Sequence, residues 1–202
     1  NAVPSGGYMV FLLAGMLPWL AIAESLNRTV TAISSKSAMV KQVVFPVSVL
    51  PIVSVVIALI PQFIMTLGYI LYLLYLDALI WQRLPLLCVA LVIEFVTLCG
   101  LGFILSAIGV YIKDLKELVQ FFASFGVYLA PVVYPFEWAP DVVRPLLLLN
   151  PFAHIVAIFQ DSFLSSPIRY HSWVISTAFG AISLLIGYTV FRRVRPYFGS
   201  AL

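Results

Sequence analysis

The sequence predicts an all-α polytopic membrane protein. Three observations carry that reading: the apolar fraction, the length of the apolar runs, and the one-sided distribution of basic residues between them. Of 202 residues, 63% are hydrophobic and 9% charged, and the mean hydropathy is +1.10. A water-soluble domain is about half apolar and about a quarter charged. A chain of this size has too little interior to hide the excess, so lipid is the solvent over most of its surface. The runs 7–25, 46–76, 85–112, 118–135 and 172–191 approach or exceed the ~20 residues that carry a helix across a bilayer.

After the first run comes NRTVTAISSKSAMVKQVVFP (27–46), a polar stretch with Arg28, Lys36 and Lys41 and no acid. The second run is long enough to tilt, and Pro51 and Pro61 are positions where it is expected to kink or break. Tyr69, Tyr72 and Tyr75 mark its far end. The third run contains Cys88 and Cys99, ~16 Å apart on a helix and too far for a disulfide, and Gly100 and Gly102, small residues of the kind that let membrane helices approach closely. Glu94 falls in its middle, where a carboxyl is costly. Two readings stand for it: a functional acid facing the bundle interior, or a hydrogen-bonded glutamate at a helix contact. Proton coupling would want a second buried acid or histidine, and none lies mid-span.

A short charged loop, Lys113 to Glu117, leads to the fourth run, where Phe121, Phe125 and Tyr128 share one helix face. Such a face either meets lipid and neighbouring helices or holds sugar rings through their apolar C–H faces. Beyond it, prolines at 131, 135, 140, 145 and 151 forbid one continuous helix. Tyr134, Phe136 and Trp138 suit a membrane interface. Asn150-Pro151 reads as a helix start, with Asn as N-cap and Pro in the first turn. The outer region 136–171 thus holds two short apolar segments that either dip into the bilayer or lie along it. His154 and His171 are expected at the surface or interface.

The basic residues orient the chain. Arg28, Lys36, Lys41, Lys113, Lys116, Arg192, Arg193 and Arg195 fall on one side, against Arg83, Arg144 and Arg169 on the other. The positive-inside rule makes the first side cytoplasmic, with the C-terminus inside. With residue 7 outside, two readings stand: a mature exported N-terminus, or one further span ahead of it, and the further span is the favoured expectation. The sequon Asn27-Arg28-Thr29 then faces the cytoplasm and is discounted. The sequence has no GxxxxGK[ST] phosphate loop, HExxH, GxSxG or CxxC. The net charge of +3 forms no cluster dense enough for nucleic acid. No catalytic or metal site is expected.

Three blocks carry a family resemblance. The first is Pro18-Trp19, the Asn27–Ser37 segment, Val40-Lys41-Gln42-Val43-Val44-Phe45-Pro46 and Leu50-Pro51; the second is Asp114, Leu118 and Pro131-Val132-Val133-Tyr134-Pro135; the third is Leu149-Asn150-Pro151. Together they resemble the ABC-2 type permeases that export polysaccharides, O-antigen or capsule. Tyr111-Ile112-Lys113 departs from the family's aromatic pair and Arg, keeping the charge but losing the bidentate fork.

The resemblance implies a type V exporter transmembrane domain of six spans, about five of them here. It implies a homodimer in the bacterial inner membrane with two separate ATPase subunits that bind ATP and Mg, and a lipid-linked polysaccharide as cargo. No cofactor is expected on this chain. In that reading 27–45 is the ATPase-coupling segment, through Arg28, Ser34, Ser35, Lys36 and Lys41, and Lys113, Asp114, Lys116 and Glu117 make a second contact. Pro131, Tyr134, Pro135, Trp138, Asn150 and Pro151 form an outer re-entrant gate. Trp19, Phe121, Phe125 and Tyr128 are the candidate glycan-path aromatics. A teichoic-acid or small-molecule ABC-2 exporter is the near alternative; a proton-coupled carrier or intramembrane enzyme using Glu94 is the distant one.

Overall fold

The computed structural model describes residues 7–37, 46–138, 140 and 144–198. Among them every regular element is helical: α1 (Gly7–Val30), α2 (Val49–Tyr75), α3 (Leu84–Gly109), α4 (Leu115–Leu129), α5 (Arg144–Leu149), α6 (Pro151–Phe163) and α7 (Tyr170–Val194). Single 3-10 turns sit at Ser34–Lys36, Trp81–Arg83, Phe136–Trp138 and Arg195–Tyr197. Four segments are long and apolar enough to cross a membrane: α1, α2, α3 with its preceding turn, and α7 with its following turn. The 27 residues of α2 make a rod of ~40 Å.

Helix α2 runs unbroken through both prolines, unlike the interruption expected from sequence. Pro51 lies in the first turn, where its missing N–H leaves nothing unpaired, and Pro61 removes one intrahelical bond without ending the helix. Its buried residues include Val55, Leu59, Gln62, Thr66, Tyr69 and Leu73, alternating by four and three. That spacing is a single seam on one face; most of the remaining apolar surface of α2 is exposed, as a helix bordering lipid requires.

The most extensive helix contact joins α3 to α7. Its α7 side includes Gly180, Ser183 and Gly187, part of a buried stripe that begins at Ser172 and Ser176. Gly187 lies directly on the backbone carbonyl of Gly100, with no room for a Cβ. Small residues are what permit such an approach where lipid gives helices no hydrophobic reason to associate.

Helix α4 packs antiparallel to α1. Its Val119 lies beside Leu26, Gly126 fits against the Trp19 ring, and Val133 O accepts from Tyr8 Oη at 2.6 Å. The path therefore runs nearly the length of α1, but only 15 residues of it are helix. The expected span 118–135 differs here: residues 130–134 are turn and bend. Pro131 explains the stop. It cannot donate to the carbonyl four residues back, and it pushes Ala130 out of helical geometry, to φ −115°, ψ 149°.

Candidate functional site

The unwound end of α4 is buried, with Ala130 and Val132 both fully shielded. Backbone at membrane depth persists only where protein pairs its polar groups, and the carbonyls of residues 128–131 and of Val133 are paired. Tyr134 Oη donates to Tyr128 O at 2.8 Å, and Asn150 Nδ2 to Leu129 O at 2.8 Å. Val132 N–H donates to Ala130 O at 2.7 Å, and Gln160 Nε2 to Pro131 O at 2.8 Å.

Two of those donors belong to the α5–α6 hairpin. Asn150 also caps α6, its Oδ1 accepting from Phe152 N–H at 3.0 Å with Pro151 in the first turn. One side chain thus starts α6 and ties off α4. The hairpin tip lies deep: Phe152 packs against Trp19, Phe122 and Phe179, midway along α1, α4 and α7. From there α6 returns towards the Tyr8 end, buried from Ala153 through Phe163.

A polar anchor holds the far end of α6. Asp161 is fully buried and Arg169 Nε donates to its Oδ1 at 2.8 Å. Arg169 N–H and Trp173 Nε1 donate to Oδ2 at 2.9 and 3.2 Å. Arg169 Nη2 reaches Ala157 O at 2.7 Å and Gln160 Oε1 at 3.2 Å. Arg83, before α3, donates to the carbonyls of Asp161, Leu164 and Ser166. Arg169, Gln160 and Pro131 therefore form one chain of bonds from the loop before α7 to the unwound end of α4. None of Arg83, Gln160 or Asp161 was nominated from sequence as a site residue. The available signal was Gln160-Asp161 inside an otherwise apolar short segment, since a charge there needs a partner.

His154 is buried, contrary to the surface position expected for it. Burial is the main cause of a pKa below the usual imidazole range, reinforced by His171 and Arg169 and opposed by the bond to Leu148 O. In the neutral ring Nε2–H donates to Leu148 O at 2.9 Å and Nδ1 accepts from Ser172 Oγ at 3.1 Å. With His171, Arg169 and Pro131 it borders a cavity of about 210 Å³. Of the nominated gate residues, Pro131 and Pro135 are buried, Tyr134 is half-buried and Trp138 is exposed.

The nominated aromatics divide between two faces of α4. Phe121, Phe125 and Tyr128 are 62%, 54% and 62% exposed, continuing a stripe from Leu118. Trp19 is buried on the opposite face, against Phe122 and Phe152. It packs as core, apart from the other three, because Gly126 opens a slot for its ring.

At the other end of the bundle the two nominated contact segments meet. Thr31, Ser34 and Ser37 face Lys113 and Lys116 across a cavity of about 360 Å³. Arg28 belongs to the last turn of α1 and pairs with Glu24 at 2.5 Å in an exposed i,i+4 bridge. Ser35, Lys36, Asp114 and Glu117 are exposed. Lys41 lies outside the described residues.

Glu94 is fully buried and accepts from Gln62 Nε2 at 2.7 Å. Its other oxygen, Gln62 Oε1 and Thr66 Oγ1 have no hydrogen-bond partner. Glutamine at 94 can accept the same bond with the same shape. Glu94→Gln is therefore expected to change thermal stability by less than about 1 kcal/mol and to leave activity standing; loss of activity in a folded protein would give the carboxyl a proton-handling role.

The family model for the ABC-2 type transporter matches residues 4–164. This chain belongs to the ABC-2 type transporter family. It is 24% identical over 200 residues to an O-antigen export system permease protein RfbA of Klebsiella pneumoniae, covering 96% of this chain and 76% of that one. To RfbA of Myxococcus xanthus it is 31% identical over 160 residues, 76% of this chain and 60% of the relative. To the polysialic acid transport protein KpsM of Escherichia coli it is 24% identical over 204 residues, 95% and 75% of the two chains. The matched region of this ABC-2 chain runs from α1 through α6, and so includes the contact cavity, the unwound end of α4 and the hairpin. The chain is a multi-pass membrane protein of a transport family.

Proposed function

We propose that this chain is the permease subunit of an ATP-driven exporter that moves a lipid-linked polysaccharide, O-antigen or capsule, across the bacterial inner membrane. The observation that carries the proposal is the similarity, over nearly the whole chain, to permeases named for O-antigen and polysialic acid export. Two copies pair, and two ATPase subunits, which hold the ATP and Mg, sit beneath them. The end bearing Lys36, Lys113, Lys116 and the C-terminal arginines is cytoplasmic, in keeping with the charge asymmetry. Residues 27–45 and 113–117 take up the ATPase motion there. At the outer end the α5–α6 hairpin and the unwound end of α4 gate the exit. The exposed stripe of Phe121, Phe125 and Tyr128 borders the passage, where aromatic faces suit sugar rings.

Purification from the native host, with bound partners identified by mass, tests the class of transporter. A stoichiometric subunit carrying a phosphate loop is the expected result. A chain that comes alone under several gentle detergents would overturn the reading. With that partner in hand, Lys36→Glu with Lys41→Glu should lower its retention or uncouple hydrolysis from export. Unchanged retention and export would remove the coupling role from 27–45.

A further inference from the structure

The cavity at the basic end has a chemistry that subunit contact alone does not account for. Its volume, about 360 Å³, falls in the ~300–1,000 Å³ range of small-ligand pockets. The polar groups around it are two ammonium groups, Lys113 and Lys116, and three hydroxyls, Thr31, Ser34 and Ser37; no carboxylate lines it among the described residues. The sequence of 27–46 holds no acid either. Asp114 and Glu117 are close in sequence, yet neither lines the cavity.

The hydroxyls are loosely held. Thr31 Oγ1 donates to Arg28 O and Ser34 Oγ to Thr31 O, each at 3.4 Å, beyond the ordinary range for such bonds. Both can turn to a better acceptor at little cost. The outer end is built the opposite way: Arg83 and Arg169 are already committed to carboxylate and carbonyl oxygens of the protein. Uncompensated cations beside loosely bonded hydroxyls form a site for a compact, multiply accepting anion.

We propose that this cavity binds a phosphate group, held by Lys113 and Lys116 and completed by the hydroxyls of Thr31, Ser34 and Ser37. The phosphate has two possible sources, an anionic lipid headgroup and free phosphate. Ile112 lines the cavity and is 50% exposed, and Ile108 above it is 36% exposed. An acyl chain leaving the site has apolar surface to follow, which favours the lipid. The cavity lies between the two contact segments, and Lys36, Asp114 and Glu117, which are outside its lining, stay available to a subunit.

The test is native mass spectrometry of the full chain, purified from its host with whatever subunits accompany it. It is exposed in turn to dioleoylphosphatidylglycerol, to dioleoylglycerol with the same tails and no phosphate, and to inorganic phosphate. Phosphatidylglycerol should be retained and dioleoylglycerol lost. Lys113→Gln with Lys116→Gln should weaken that retention about thirtyfold, Lys113→Arg with Lys116→Arg should keep it, and Asp114→Asn with Glu117→Gln should leave it unchanged. Inorganic phosphate that displaces the lipid and binds alone would make the source soluble and keep the site. Equal retention of the two lipids by the unaltered chain, or an unchanged double glutamine variant, would overturn the proposal. Comparing the two lipids on the unaltered chain decides the matter even if the glutamine variant fails to fold. Subunit retention is scored in the same spectra, so failure of the phosphate site and failure of the coupling reading are separate outcomes.

Discussion

Asp161→Ala is expected to free the α5–α6 hairpin from the bundle. The carboxylate is fully buried and takes bonds from Arg169 N–H, Arg169 Nε and Trp173 Nε1. Removing it leaves the partly buried guanidinium of Arg169 uncompensated, and breaking one partner out of such a pair costs about 3–5 kcal/mol. The loss passes along the same chain of bonds, through Gln160 to the carbonyl of Pro131. Two readouts check it: a fall in the thermal transition of the detergent-solubilised protein, and new proteolytic cleavage within residues 136–169. Asp161→Ala combined with Arg169→Met should recover part of the loss, because the stranded charge has gone with its partner. A single variant as stable as the parent, with no new cleavage, would show that packing alone holds the hairpin.

Gly187→Leu should be the other severe variant. The backbones of Gly187 and Gly100 touch, so a Cβ at 187 meets carbonyl atoms that have no flexible end to move aside. The only relief is separation of α3 and α7, the most extensive contact of the bundle. Overpacking costs ~1–3 kcal/mol where side chains can adjust, and here the obstacle is main chain, so a loss of about 3 kcal/mol or more is expected. Fluorescence-detected size-exclusion should show a collapsed yield. Gly68→Leu is the control, since Gly68 has open space where its Cβ would go. Equal behaviour of the two variants would mean that the α3–α7 contact tolerates a side chain.

The membrane class, the apolar runs and the clustering of basic residues at one end were legible because each depends on composition over long windows. The Asn150-Pro151 helix start was legible because capping is local. The end of α4 was not: the apolar run continues through Val132 and Val133, and only the pairing of the Pro131 and Val133 carbonyls by Gln160 and Tyr8 makes an unwound stretch tolerable there. Those donors lie 29 and 125 positions away, beyond any local signal. The same limit hid the burial of His154, since its partner Ser172 belongs to a later helix. The packing of Trp19 was hidden for a further reason: which face of α1 meets Gly126 depends on how two helices pack, and periodicity fixes a face without naming its neighbour. The serine and glycine stripe of α7 was visible at its three- and four-residue spacing, but it stands out only once α3 supplies the other half of the contact.

The setting of α6 has a consequence for how the protein is made. Every wall around this helix, α1, α3 and α7, must be in the membrane before it can bury its sides, and α7 is synthesised after it. Lipid is no substitute, for Gln160 and Asp161 would face hydrocarbon. The hairpin is therefore expected to wait at the membrane surface while α7 inserts, and to dock once Arg169 and Trp173 arrive to receive Asp161. Assembly of this bundle is then expected to close from its C-terminal helix backwards, with a nascent chain halted before residue 170 keeping its hairpin undocked.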